Sequence, residues 1–175
     1  MRLVLAAAVS LMLTAQPVFA SSCITPADAA ALKIASLKSE LMVTALTCMD
    51  SDRYNQFMAK FKTDLVGNEN NLQAYFARAY GHMGQKQHDD YITSLANSVS
   101  TAGLSEGTAL CVQNEPMFDE VLALPSGNDL PDYAAGKNLA QPLVAVSCSD
   151  LPPAVTRKIT LARSKTRTTH HASKV

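Results

Sequence analysis

Leu41-Met42-Val43-Thr44-Ala45-Leu46-Thr47-Cys48-Met49 carries no charge and closes a helical pattern that begins near Pro26. At three- and four-residue spacing, Ile34, Leu37, Leu41, Ala45 and Cys48 line one apolar stripe. Lys33, Ser36, Glu40, Thr44 and Thr47 line a polar stripe one residue out of phase. Met42, Val43, Leu46 and Met49 carry the apolar cover round to the back of the last turns. A helix that is apolar nearly all round sits centrally in its domain. The stretch therefore predicts the central helix of a small helical bundle, running from Pro26 to about Met49.

Upstream, Thr25-Pro26-Ala27-Asp28 is a helix start: a capping hydroxyl, a proline suited to the first helical position and an acid in the first turn. Before it, basic Met1-Arg2, an apolar run from Leu3 to Thr14, and Val18-Phe19-Ala20 have the layout of a secretory signal peptide, with cleavage expected after Ala20. The run is short for a bilayer span, and no later run qualifies. The rival reading is a lipoprotein signal ending at Cys23, but the position three residues earlier holds Ala20 instead of Leu.

Downstream, Asp50 or Ser51 caps a second helix with Tyr54, Phe57, Met58, Phe61 and Leu65 on its inner face and a stop expected at Gly67. Leu72, Tyr75, Phe76, Ala79 and Tyr80 form the face of a third, ended by Gly81. His88, Tyr91, Ile92, Leu95 and Val99 mark a fourth, with Gly103 as its expected end. Ser105 and Glu106 are read as starting a short fifth segment through Val112, and Pro116 as opening another to Leu124, with Phe118, Val121 and Leu122 inward. Ser126 to Pro131 reads as turn and loop. Leu139 to Cys148, broken by Pro142, reads as an extended strap, with strand possible only around Leu143 to Val146.

The reading is one all-α domain: a small disulfide-stabilised helical bundle of about five helices, with an irregular C-terminal strap and a flexible basic tail. Its divisions are 1–20 (signal peptide), 21–150 (helical domain) and 151–175 (tail). The zero net charge of the 175 residues conceals an asymmetry. Residues 21–150 hold eight Lys/Arg and fifteen Asp/Glu; residues 151–175 hold six Lys/Arg and no acid.

Cys23, Cys48, Cys111 and Cys148 all lie beyond the expected cleavage point. An even count in an exported chain points to disulfides, and four cysteines allow three pairings. Cys48–Cys111 with Cys23–Cys148 is preferred. The first pair falls in helical, apolar surroundings, and the second lies near the ends of the ordered region, where chain ends often meet. The alternative is buried free thiols.

No motif names a reaction. The chain has no C-x-x-C, no G-x-S-x-G, no H-E-x-x-H and no phosphate-binding glycine loop. Adjacent Asp119 and Glu120 point to different faces of a helix and make no ready acid/base pair. His82 and His88, near Asp89 and Asp90, are weak metal candidates, since zinc needs three or four converging ligands and acids in a first turn already answer the helix dipole. His170-His171 lacks a scaffold. Met42, Met49, Met58, Met83 or Met117 with His88 would be needed for non-covalent haem, but Met is also a core gap-filler, and no cofactor is expected. In the tail, Arg157, Lys158, Arg163, Lys165 and Arg167, with Lys174, are candidates for binding an anionic surface by charge. The bland reading is a solvated tail resting on the acidic body. No specific nucleic-acid recognition is expected.

Glu40 to Cys48, Tyr54-Asn55-Gln56-Phe57 and Ala109-Leu110-Cys111 together resemble a group of small exported helical proteins of Gram-negative bacteria, a domain of unknown function. The resemblance spans roughly Ala30 to Cys111. It implies a periplasmic or secreted location and no activity or site residues. The expected function is that of an exported, non-enzymatic helical protein acting through an unknown protein or anionic envelope component. The alternatives are a carrier of a small ligand, haem or metal in the bundle interior, and an enzyme whose site is assembled only in three dimensions.

Overall fold

The structure, a computed structural model, describes residues 23–150 apart from Thr108. The signal-peptide reading of 1–20 and the basic-tail reading of 151–175, with Arg157, Lys158, Arg163, Lys165, Arg167, Lys174 and the two tail histidines, lie outside the described residues.

Four longer helices, α1 (Pro26–Cys48), α2 (Ser51–Lys60), α3 (Lys62–Tyr80) and α4 (Gly84–Glu106), are followed by three short ones, α5 (Ala109–Asn114), α6 (Pro116–Ala123) and α7 (Leu130–Ala135). The fold is all-α. Among the described residues the β pairing is a single parallel bridge between Ile24 and Ser147. Thr25 starts α1 as its composition predicts. Its hydroxyl accepts from the Asp28 amide at 3.2 Å, and its own amide donates to the Asp28 carboxylate at 2.8 Å.

Helix α1 is central and touches α2, α3, α4, α5 and α7. It has two apolar faces. Ile34, Leu37, Leu41 and Ala45 pack on Phe57, Phe61, Phe118 and Leu130 from α2, α6, α7 and the α2–α3 bend. Ala31, Leu32 and Ala35 pack on Leu72, Tyr75 and Phe76 of α3 and Tyr91 and Leu95 of α4. Leu37 and Leu41 are fully buried, each stabilising the fold by about 1.5–3 kcal/mol through burial.

Four expectations are corrected. The second helix does not stop at Gly67. The break falls at Phe61 (φ −106°, ψ 20°), and α3 runs straight through Gly67. Phe61 is buried with its ring 5.6 Å from that of Phe57. Seating it and Leu65 outweighs the roughly 1 kcal/mol cost of a glycine inside a helix. Gly103 does not end α4 either. It is buried within the helix, and the Leu110 side chain occupies the space that a Cβ would take. The helix continues to Glu106 and stops at Gly107, whose φ of 60° favours glycine. Ser105 and Glu106 thus finish α4 and do not begin α5.

Leu130-Pro131 is helix, not loop. Ser126 and Asp129 form a capping box just ahead of it, Pro131 sits in its first turn, and Leu130 and Ala134 are fully buried. Finally, the apolar cover of α1 does not continue to its end. Val43 is buried, but Leu46 is 70% and Met49 92% exposed. Met49 takes the left-handed cap conformation (φ 58°, ψ 37°), turning the chain toward α2 and its own side chain outward.

Residues 136–147 form the irregular strap. Leu139 packs against the first core face and Leu143 against the second.

Candidate functional site

Both ends of α1 are cross-linked. Cys23, just ahead of the cap, is joined to Cys148 at the end of the strap, and Cys48, the last residue of α1, is joined to Cys111 in α5. These are the two pairs preferred from the sequence.

Between them lies a cleft of about 520 Å³. Its floor is apolar and buried: Val99 of α4, Leu110 of α5 and Met117 of α6. Its rim is polar: Glu40 of α1, Ser98 of α4, Gln113 and Asn114 of α5, and Lys137 and Asn138 of the strap. The Asn114 amide donates to Glu40 Oε1 at 2.7 Å and to the buried Thr44 hydroxyl at 3.3 Å, which orients the carboxylate at the cleft wall. At the mouth, Lys137 pairs with Glu120, and the Tyr133 hydroxyl donates to the same carboxylate at 2.8 Å. The hydrogen bond from Lys137, then that from Tyr133, holds the Glu120 carboxyl below its usual range. Burial, then the hydrogen bond to Glu120 and that group's charge, pushes the Tyr133 phenol well up. Chemically the cleft offers an apolar bed ringed by amide donors and acceptors with one oriented carboxylate.

Further along α4 the strap roofs a smaller cleft of about 160 Å³, lined by Phe76, Tyr91, Ser94, Pro142 and Leu143. Beside it the Tyr91 hydroxyl shares its proton between the Leu32 carbonyl at 3.2 Å and Gln141 Oε1 at 3.0 Å. Gln141 Nε2 donates to Ser36 Oγ at 3.3 Å, and the Ser36 hydroxyl donates to the same Leu32 carbonyl at 3.0 Å. Burial raises the Tyr91 phenol above its ordinary range, against the opposing bonds to Ser36 and Gln141.

The sequence-derived metal candidates sit elsewhere. His88 is buried on α4, with Nε2 2.8 Å from Glu69 Oε1, Nδ1 3.1 Å from Asp89 Oδ1, and its ring edge-on to Phe76 at 5.7 Å. His82 is exposed on the turn before α4, and both histidines line one shallow cleft. Among the described residues, the group of three ligand atoms lying within 4.8 Å of one another is Cys48, Cys111 and Glu115, which includes neither histidine. Its two sulfurs are bonded to each other, so they offer no thiolate. The methionines do not converge on His88. Met49 is almost fully exposed, Met83 is 40% exposed, and Met117 packs in the core face opposite the one holding Phe76.

Sequence reasoning missed the cleft and the Tyr91–Gln141–Ser36 chain. The available signal was the polar stripe of α1. Ser36 and Thr44 are buried, and the stripe is where the strap and α5 attach.

The chain is thus a small disulfide-braced all-α protein with a strap laid across its central helix, and no described helix is long and apolar enough to cross a membrane. No family model, curated protein or solved structure matches it.

Proposed function

We propose that this is an exported protein, periplasmic or secreted, akin to the small exported helical proteins of Gram-negative bacteria that its sequence resembles. It acts without catalysis, through a protein or anionic envelope partner. The observation that carries the reading is the cross-linking of both ends of α1, since stable disulfides belong to oxidising compartments. The charge asymmetry between residues 21–150 and 151–175 supports a partner engaged by charge. The test is expression of the full chain in a Gram-negative host, with fractionation, intact mass and crosslinking in the envelope. A mature chain beginning at Ser21, four hydrogens lighter than its reduced form and captured with one envelope component, is the expected result. A cytosolic, reduced chain, or reproducible turnover by the purified protein, overturns it.

The cleft of about 520 Å³ favours a second reading, a carrier of a small ligand, because its volume falls within the range of roughly 300–1,000 Å³ typical of ligand sites. That reading predicts an adduct in the native mass that is lost in Asn114→Ala.

A further inference from the structure

The two disulfides differ in what surrounds their sulfurs and in what they hold. At Cys48–Cys111 a Glu115 carboxylate oxygen lies within 4.8 Å of both sulfurs. Arg53 reaches Glu115 at 3.9 Å but also serves Asp50 and Asp119, so the neighbourhood stays net negative. An attacking thiolate is an anion and is repelled there. Among the described residues, no carboxylate forms such a group with Cys23 and Cys148; Asp150, two residues on in the same turn, is the acid nearest to Cys148 in sequence.

Cys23–Cys148 also holds less. No strap residue from Leu139 to Ser147 is buried, and Val144 is 97% exposed. Apart from the disulfide, the strap's end is held by two backbone bonds, Ile24 N to Val146 O at 2.9 Å and Cys148 N to Ile24 O at 3.0 Å. Beyond Lys137, which pairs with Glu120 at the strap's start, its polar anchor is Gln141, yet Tyr91 and Ser36 both also donate to the Leu32 carbonyl. Lifting the strap therefore leaves neither hydroxyl without a partner, which removes the main penalty for uncovering them. The buried members of the core face beneath all come from α1, α3 and α4.

We infer that Cys23–Cys148 is a thiol–disulfide exchange site for a dithiol reductant, and that its reduction releases the strap. The two clefts that the strap walls then join into one groove along α4, past Tyr91, Leu95 and Val99. In the exchange, one thiolate of the dithiol attacks one sulfur of the pair and expels the other as a thiolate. The second thiol of the reductant, as its thiolate, then attacks the reductant's own sulfur in the mixed disulfide and expels the remaining protein sulfur as a thiolate. Two electrons pass to the cysteines, the two thiol protons end on Cys23 and Cys148, and the reductant leaves as its disulfide. This stands on the surroundings of the two disulfides and not on the partner reading above.

The test takes the full oxidised chain through a time course in dithiothreitol, with iodoacetamide trapping, peptide mapping and hydrogen exchange on the same samples. Cys23 and Cys148 are expected to be alkylated at least about ten-fold faster than Cys48 and Cys111. Exchange rises in residues 136–147 and on the adjoining face of α4, while the helical circular dichroism holds. Simultaneous reduction, reversed order, or helix loss in step with Cys23 alkylation overturns the inference. The double variant Cys23→Ser/Cys148→Ser reproduces the open-strap exchange pattern with Cys48–Cys111 intact. Its failure to fold would make the bond a structural necessity and would also overturn the inference. Glu115→Gln speeds reduction of Cys48–Cys111 and narrows the gap between the pairs; an unchanged rate refutes the charge argument.

Discussion

Arg78 Nη2 of α3 lies 2.6 Å from Asp28 Oδ2, so a cation from a neighbouring helix closes the cap of α1. Burial alone would raise the Asp28 carboxyl. The Thr25 amide, the Arg78 guanidinium and the Thr25 hydroxyl outweigh it and hold the group below its ordinary value of 3.8. A carboxyl whose folded-state value is depressed stabilises the fold above its unfolded value and loses that contribution as pH falls through the folded one. Asp28→Asn should therefore cost about 1 kcal/mol at pH 7, with the difference from the parent shrinking below pH 3.8. Urea unfolding across pH 2–7 measures it, and a constant difference would refute the assignment.

Along the stretch from Leu41 to Met49, two leucines five residues apart should behave oppositely. Leu41 is fully buried and Leu46 is 70% exposed. Leu41→Ala is expected to lose about 2–5 kcal/mol by transfer and cavity formation, and Leu46→Ala to stay within about 0.5 kcal/mol of the parent. Equal losses would mean that the back of α1 is covered after all.

Glycines give a second paired test. At Gly84 a Cβ would sit 2.8 Å from Ala77 Cα and 2.9 Å from the Phe76 carbonyl, where α3 and α4 approach backbone to backbone. Gly84→Ala should cost about 1–3 kcal/mol. Gly67 lies within α3 with nothing inside 4 Å of that position, and Gly67→Ala should stabilise by about 0.4–1 kcal/mol. Thermal melts of the two variants shifting in the same direction would contradict the continuous α3.

Met49 is a non-glycine residue in the left-handed region with its side chain in solvent. Met49→Gly relieves the Cβ clash while giving up almost no buried surface, so a gain of roughly 1 kcal/mol is expected. A loss in chemical denaturation would show that the exposed side chain contributes to the fold.

The all-α class, the cap at Thr25 and the inner faces of α1 to α4 were legible because each rests on local chemistry: periodic apolar residues and a capping box. The glycines misled because one answers to a side chain of the next helix and the other to no neighbour at all. Gly103 makes room for Leu110, and Gly67 is simply carried through by the packing of Phe61 and Leu65. The helix at Leu130 was hidden behind turn-forming residues, which build a capped 3-10 turn, Gly127–Asp129, that leads straight into it. The cleft was illegible for a related reason. Its rim joins Glu40 to Asn114, and the chain beside it joins Ser36 to Gln141, over separations of 74 and 105 residues that no local pattern encodes.

The two cross-links are nested, 63 residues inside 125, so Cys23 is not joined to Cys48, the next cysteine along the chain. Sequential oxidation would instead couple Cys23 to Cys48. Helix α1 stands between them, 23 residues long and so about 35 Å from end to end, whereas disulfide partners must come within about 7 Å. Helices form in about a microsecond and disulfides in seconds or longer. The central helix thus works as a spacer during maturation, keeping its two flanking thiols apart until Cys111 and Cys148 arrive to claim them.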